Sequence, residues 1–464
     1  MHRPPASGGH SCYHRPLRQA STIPDNRAAL NQMLRSYLGF PRAVYVLCLG
    51  TFINRAGTFL LPFLTLYLVG ERGLGIRFAT VGMSAYGAGA IAGSLLGGHL
   101  ADLIGRRAVM LISLLGGAAV LRFFGYITDP WSILAAVVVF TVLAEMYRPA
   151  ASAMIADLVE PDRRPQAFGL MYVAVNLGFA IGALVGGWLA TVWFTWLFWG
   201  DALTAAAYAV IILFCIRETM PSHPTGIAAT AEPVPTLEGN ALATVAPYRN
   251  ASDTLPDAAR AKSRRFEALS HMLGDRTFVV FCLGCILCGI VFFQAMSTFP
   301  LFLGRRGLGP DAYGSLISIN GAMIVLCQLP VAAFISRFHR GTVVALAAVV
   351  LAVGFGATNL AQTWPQFAFV VVLWTCGELM QAPLMSSIVT DLAPARFRAR
   401  YLGVFSMCFS SANMIGAPLG GAVLARWGGS HLWGGCFVVA LIAAALFAGI
   451  RGRLLGPVGE VQAG

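Results

Sequence analysis

The stretch Gly98-His99-Leu100-Ala101-Asp102-Leu103-Ile104-Gly105-Arg106-Arg107 is a charged turn held between two long apolar runs, at 79–101 and 108–127. About twenty apolar residues make one helix across a bilayer, so the turn reads as a loop joining two membrane spans. Further outward, runs of the same kind lie at 44–69, 131–157, 165–193 and 197–217. After a polar interruption they resume at 277–303, 312–336, 341–361, 365–391, 398–426 and 432–451. Composition agrees. Of 464 residues, 57% are hydrophobic and 11% charged, and mean hydropathy is +0.71; soluble domains carry about 25% charged residues. A soluble enzyme and a nucleic-acid binder are excluded. So is a membrane barrel, because alternating segments of about ten residues are missing. The expected fold is an all-α polytopic membrane protein with twelve transmembrane helices in two six-helix bundles.

An even number of spans puts both termini on one side. If that side is cytoplasmic, the inner segments hold 24 of the 32 basic residues, including Arg42, Arg106, Arg107, Arg163, Arg164, Arg337 and Arg340. The outer loops hold five: Arg72, Arg77, Arg305, Arg306 and Arg426. The positive-inside rule then gives a multi-pass cell-membrane protein with both termini cytoplasmic. The net charge of +12 reflects anionic inner-leaflet lipid, not nucleic acid. Residues 1–43 are polar, with Pro4, Pro5 and Pro16 and no early apolar core. They are expected to form a disordered cytoplasmic tail rather than a signal peptide, and Met33 is an alternative start. Six-helix units are expected at 44–217 and 277–451, with a cytoplasmic C-terminal tail at 452–464. The segment 218–276 joins the units. Its first part is proline-rich; further on, Phe266, Leu269 and Leu273 share a helical face against Arg260, Lys262, Arg264 and Arg265. That pattern reads as a basic amphipathic helix on the inner leaflet.

The two units repeat each other at a fixed offset of 234 residues. Gly73-Leu74-Gly75 matches Gly307-Leu308-Gly309, Arg106 matches Arg340, Pro149 matches Pro383 and Asp157-Leu158 matches Asp391-Leu392. Arg164 matches Arg398, Gly186-Gly187 matches Gly420-Gly421, and Trp193 matches Trp427. Scarce residues keep one register over a long gapless stretch, which describes two parallel repeats about an axis along the membrane normal.

The turn at Gly98–Arg107 resembles the G-x-L-A-D-x-x-G-R-R loop signature of the major facilitator superfamily, with Leu103 where that family often has a basic residue. The six-plus-six layout is similar to that family over nearly the whole chain. In physical terms, Asp102 at the inner end of the second span can offer a carboxylate to the positive N-terminus of a neighbouring helix. The resemblance implies that this neighbour is the eleventh span. Arg106 is placed to pair with Asp157, and Arg340 with Asp391, so these five residues are expected to form a cytoplasmic gate. The fifth span carries Gly169, Gly178, Gly182, Gly186 and Gly187, and resembles the G-x8-G-x3-G-P-x2-G-G pattern of the drug:proton antiporter branch, with Ala183 in place of proline. Spaced glycines let helices approach closely, so this face is expected to seal against the opposite bundle.

Ionisable residues deep in a span mark functional sites. Arg55, Glu145, Arg148 and Glu378 lie near the middle of the first, fourth and tenth spans, which line the central cavity in the family that the chain resembles. Glu145 and Arg148 are three apart and share a helical face. A carboxylate released from an arginine binds a proton more readily, so Glu145 or Glu378 is the expected proton site, with Arg55 and Arg148 modulating it or meeting substrate. Asn54, Tyr147, Phe292, Phe293, Gln294, Asn320, Gln328, Trp374 and Gln381 are candidate lining residues, while Arg122 is expected to snorkel to the interface. Cys282, Cys285 and Cys288 form a C-x-x-C-x-x-C run, but thiolates at lipid depth are costly, so they read as packing residues. No metal, cofactor or catalytic residue is expected. No Walker loop is present, which excludes ATP-driven pumping by this chain.

The expected function is secondary active transport: proton-coupled efflux of small hydrophobic organic compounds by alternating access. Uptake or facilitated passage of a small nutrient such as a sugar, organic acid or amino acid is the alternative. Expected partners are the small-molecule substrate, protons and membrane lipid, with the chain acting as a monomer.

Overall fold

A computed structural model describes residues 39–160, 163–219, 271–394 and 397–454. The N-terminal tail up to 38, the linker from 220 to 270 with its expected basic helix, and the last ten residues lie outside the described residues.

From Pro41 onward the chain forms one body. It is built from twelve helical spans, with no strand among the described residues. They are α1 (Arg42–Glu71), α2 (Ile76–Ile104), α3 (Arg106–Phe124), α4 (Pro130–Leu158), α5 (Arg164–Val192) and α6 (Thr195–Cys215). The second set is α7 (Arg276–Ser297), α8 (Pro310–Ile335), α9 (Arg340–Ala357), α10 (Trp364–Leu392), α11 (Arg398–Trp427) and α12 (Gly429–Ile450). The ends follow local chemistry. At the start of α4 the Asp129 carboxylate accepts the Ser132 N–H at 2.8 Å, with Pro130 supplying a fixed φ. The equivalent position 234 residues on is Thr363, which caps α10 in a reciprocal arrangement with Gln366. Gly73 and Gly307, another equivalent pair, turn the chain with φ of 64° and 77°. α1 is broken: its first helical part ends at Ala56 and the next begins at Leu60.

The packing repeats as well. In the first bundle α2 packs on α4, α4 on α3, α3 on α6, and α1 on α5 and α6. In the second, α8 packs on α10, α10 on α9, α9 on α12, and α7 on α11 and α12. Each pairing recurs six helices later.

The bundles meet chiefly along two helix pairs, α5 with α8 and α2 with α11, which are images of each other under the repeat, and the Leu60–Leu66 part of α1 also meets the end of α7 and the short helix Phe299–Arg305. The contacts repeat residue by residue. The Ser84 hydroxyl donates to the Met414 carbonyl at 2.7 Å, and the Ser318 hydroxyl donates to the Ala180 carbonyl at 2.7 Å; Ser84/Ser318 and Ala180/Met414 are equivalent positions. A Cβ on Gly87 would stand 3.2 Å from the Met414 nitrogen, and one on Gly321 would stand 2.7 Å from the Ala180 Cβ. On Gly187 it would stand 2.8 Å from the Pro310 carbonyl and 3.0 Å from Gly314, while its equivalent Gly421 abuts Thr80. Lipid offers apolar helices no hydrophobic reason to associate, so small residues that admit close backbone approach hold such seams. All these contacts lie in the half of the molecule remote from the arginine-rich loops.

Two expectations follow for the seam. Gly187→Leu should overfill it at a cost of about 1–3 kcal/mol, shifting the population away from the closed seam by roughly tenfold or more. Ser84→Ala and Ser318→Ala should act alike and nearly additively, at about 0.6 kcal/mol each. Distances between spin labels across the arginine-poor ends of α2 and α11 check both; unchanged distributions in Gly187→Leu would refute the assignment of the seam.

Candidate functional site

Between the bundles, from mid-depth toward the arginine-rich end, lies a cavity of about 560 Å³. Arg55 on α1 and Glu145 and Arg148 on α4 face it from the first bundle, with Ser94 and Ser152 nearby; Phe405, Phe409, Ser410 and Asn413 of α11 face it from the second. The Arg148 guanidinium lies 3.4 Å from the Glu145 carboxylate, and the side chains are 64% and 12% exposed. One helical turn thus holds an acid with its base on the cavity side. Arg55 lines the same space, yet its Nε is buried with no hydrogen-bond partner.

Glu378 is set apart. It lines a smaller, largely apolar hollow of about 120 Å³ inside the second bundle with Cys285, Cys288, Phe292, Gln381 and Met385. Its carboxylate accepts from the Asn320 amide at 2.7 Å, and the same amide nitrogen contacts Thr375 Oγ1 at 3.0 Å. Phe409 borders both spaces. The four expected charges are therefore divided between two hollows rather than gathered in one.

A third space, of about 40 Å³, opens between α1, α3, α4 and α6. It is lined by Asn54, Arg55, Thr58, Ser113, Glu145 and Asp201. Sequence reasoning missed Asp201. It stands near the start of the sixth apolar run, where an acid is ordinarily read as a helix-end charge. The signal was present nonetheless, since no other acidic residue lies in that run. Asp201 is 4% exposed and accepts the Phe59 and Leu60 N–H groups at 3.2 and 3.5 Å, across the break in α1. Beside it, Thr51, Tyr147 and Tyr208 form a buried hydroxyl network, with both Tyr147 contacts at 2.7 Å.

Several lining candidates turn out to be structural. Trp374 is buried in an aromatic cluster, stacked on Phe355 at 4.5 Å and edge-on to Phe299. Gln294 is buried and donates to the Ile290 and Gly416 carbonyls. Gln328 donates to the Leu379 carbonyl at 3.3 Å. Arg122 lies 3.7 Å over the Trp199 ring, a cation–π contact. Cys282, Cys285 and Cys288 are buried, and Cys285 Sγ lies 3.5 Å from Met385 Sδ. No His, Cys, Asp and Glu cluster among the described residues is suited to a metal.

The glycines of α5 divide as well. Gly178 and Gly182 abut α1 at Phe52, Arg55 and Ala56, and Gly186 abuts Phe59 and Phe63. These three close the first bundle on itself, because α1 lies between α5 and α6; Gly187 instead reaches the opposite bundle. Gly169 lies on the same helix near its arginine-rich end, half-buried.

The charged turn forms a network within the first bundle. Arg106 lies 3.2 Å from Asp157 and 3.5 Å from Asp102, and Thr219 donates to Asp157 at 3.1 Å. Both carboxylate oxygens of Glu218 accept backbone N–H groups at 3.0 Å, from Arg106 and Arg107, at the start of α3. Gly105, with φ of 99°, makes room for that carboxylate. In the second bundle Arg340 contacts Asp391 and donates to Ser387 at 3.0 Å. The Asp102 side chain is 75% exposed. Among the described residues its ion pair is with Arg106, one turn on.

The family model of the Major Facilitator Superfamily matches residues 47–322 and 295–458. The chain is 24% identical over 389 residues to the uncharacterized MFS-type transporter YqjV of Bacillus subtilis (strain 168), covering 83% of this chain and 87% of that one. It is 26% identical over 388 residues to a Na(+), Li(+), K(+)/H(+) antiporter of Planococcus maritimus, covering 79% and 86%. Against multidrug resistance protein MdtH of Escherichia coli (strain SE11) it is 21% identical over 330 residues, covering 71% of each. A D-xylose–proton symporter shares the fold with a TM-score of 0.67 at 13% identity, over 90% of this chain and 98% of that one. The helices, their internal repeat and these matches agree: the chain belongs to the major facilitator superfamily, as a multi-pass membrane transporter and not an enzyme.

Proposed function

We propose that the protein is a proton-coupled secondary transporter that expels small, mainly apolar organic compounds across a cell membrane, with both termini cytoplasmic. The observation that carries this reading is the central cavity, in which Arg55, Glu145 and Arg148 share one space with Phe405 and Phe409 between two bundles sealed at one end. Three formal charges in a low-dielectric site form a system that one proton can rearrange. Protonating Glu145 removes the partner of Arg148 and leaves two cations on the same wall of the cavity. Glu378, held by Asn320, is the second candidate for the coupled proton. The phenylalanines suit an apolar body, and the names of the antiporter and multidrug relatives support export.

In this reading the arginine-rich end is the cytoplasmic one, and the conformation is open to the cytoplasm. Closure brings Asp102 to the N-terminus of α11, while Arg106–Asp157 and Arg340–Asp391 brace the inner ends of their bundles. Alternating access then exchanges the glycine–serine seam at one end for these charges at the other. One chain supplies every face of the cavity, so the working unit is a monomer. Uptake of a small polar nutrient is the second reading. It is favoured by the serines and Asn413 on the cavity wall.

Overexpression should raise tolerance to structurally varied toxic compounds, and a protonophore should abolish the gain. Net accumulation of the tested compounds would select uptake instead. In proteoliposomes with ethidium as probe, Glu145→Gln or Glu378→Gln should reduce flux driven by a pH gradient by about tenfold or more, with exchange at equal pH retained. Unchanged driven flux in both variants would remove the proton assignment.

A further inference from the structure

Asp201 has no role in the cavity as described so far, yet it is a carboxylate enclosed at membrane depth, which a fold does not retain without compensation. Two features of its surroundings go together. First, Asp201 and Glu145 line the same small chamber, and Glu145 also lines the central cavity, so the chamber connects the two carboxylates. About 40 Å³ holds roughly two waters, and Asn54, Thr58 and Ser113 supply polar walls for them. Second, Arg55 lines the chamber and the cavity alike, and its Nε is buried with no hydrogen-bond partner.

We propose that Asp201 is a second proton-binding carboxylate, lying on the seam side of the Glu145 site and exchanging its proton with Glu145 through water in this chamber. Arg55 is the counter-cation shared between them. The step balances: the carboxylic acid of Glu145 gives its proton to a chamber water, a proton passes from water to the Asp201 carboxylate, and the pair keeps its total charge. Arg55 then turns from Asp201 to the newly ionised Glu145. The charged and titratable groups around the chamber are Arg55 on α1, Tyr86 on α2, Glu145, Tyr147 and Arg148 on α4, and Tyr208 on α6. On α3, Arg122 is engaged with Trp199.

The placement also gives the proton a mechanical consequence. The Asp201 carboxylate accepts two N–H groups where α1 is broken between Ala56 and Leu60. A neutral acid is a weaker acceptor than a carboxylate, so protonation loosens the clamp on the very helix that carries Arg55. α1 in turn packs on Gly178, Gly182 and Gly186 of α5, the helix whose Gly187 lies in the seam.

The proposal rests on proton-coupled transport, but its test does not need a substrate. Infrared difference spectra of the purified full-length protein, taken across a pH titration, read protonation of buried carboxyl groups directly. Wild type should show a protonated-carboxyl carbonyl band that vanishes in Asp201→Asn and persists in Glu145→Gln and Glu378→Gln. The asparagine keeps an oxygen for the Phe59 and Leu60 N–H groups, so a purely structural role survives the change while the titrating band does not. Asp201→Glu, which retains the acid, should move the band rather than delete it, and it serves if the asparagine variant does not fold. A spectrum unchanged in Asp201→Asn, or one unmoved in Asp201→Glu, overturns the proposal. Proton coupling through Glu145 or Glu378 would stand in that event, because the flux measurements test it separately.

Discussion

The close approach of backbones at the arginine-poor end holds the two bundles in this conformation. Gly187 against Gly314 and Gly421 against Thr80, together with Gly87 against Met414 and Gly321 against Ala180, leave little or no room for a side chain at any of these four glycines. Ser84 and Ser318 each add one hydrogen bond to a carbonyl across the seam. In lipid such contacts are individually weak, and that weakness matters. A seam made of many small terms, doubled by the repeat, can be lost at modest cost when other contacts replace it. A large hydrophobic interface of the kind found in water-soluble domains would lock the molecule in one state.

Where the seam is symmetric, the charges are not. Arg55, Glu145, Arg148 and Asp201 all belong to the first bundle, whereas the second contributes Glu378 alone at comparable depth. Their equivalents under the repeat are Gly289, Leu379, Ala382 and Gly435, none of which is ionisable. The repeat therefore specifies how the halves pack and move, while the departures from it specify where charge resides. The first bundle is rich in buried polar contacts, among them the Thr51, Tyr147 and Tyr208 hydroxyls and the Asp201 clamp. The second buries Gln294, Asn320 and Thr375 with hydrogen bonds of their own, beside an aromatic cluster of Phe299, Phe355, Trp374 and Trp433.

The same division explains which features the sequence revealed. Twelve apolar runs and the 234-residue register are one-dimensional signals, and the helices and their pairings follow them closely. Pairs three apart on one helix, such as Glu145 with Arg148, are also legible, because helical geometry fixes their distance. Contacts between helices are not. The glycines of α5 announce close packing but not its partner, and three of them turn out to face α1. Polar and aromatic residues at mid-span look alike whether they face a cavity, as Phe293 does, or a neighbouring helix, as Trp374 does. Asp201 was obscured for a related reason: an acid near the end of an apolar run is cheap if it can reach water. Only the fold shows that α1 and α3 enclose it.

Glu218 shows how the asymmetry reaches the loops. Its carboxylate satisfies two N–H groups at the start of α3 and lies against Gly105, so the chain leaving α6 is pinned to the charged turn. Arg107 reinforces the junction by donating to the Leu213 carbonyl at 2.6 Å, and Thr219 joins it to Asp157 on α4. In the second bundle His339 replaces Gly105 with φ of −64°, and Gly452 occupies the position of Glu218. That turn lacks both the space for such a carboxylate and the carboxylate itself. The arginine-rich end of the first bundle is thus a single braced unit, from α2 through α3 and α4 to the segment that follows α6. Asp102 is carried on that unit with its side chain exposed. In the transport cycle proposed above, such a mount would make motion of the bundle as a whole, and not local loop movement, decide when Asp102 meets the opposite half.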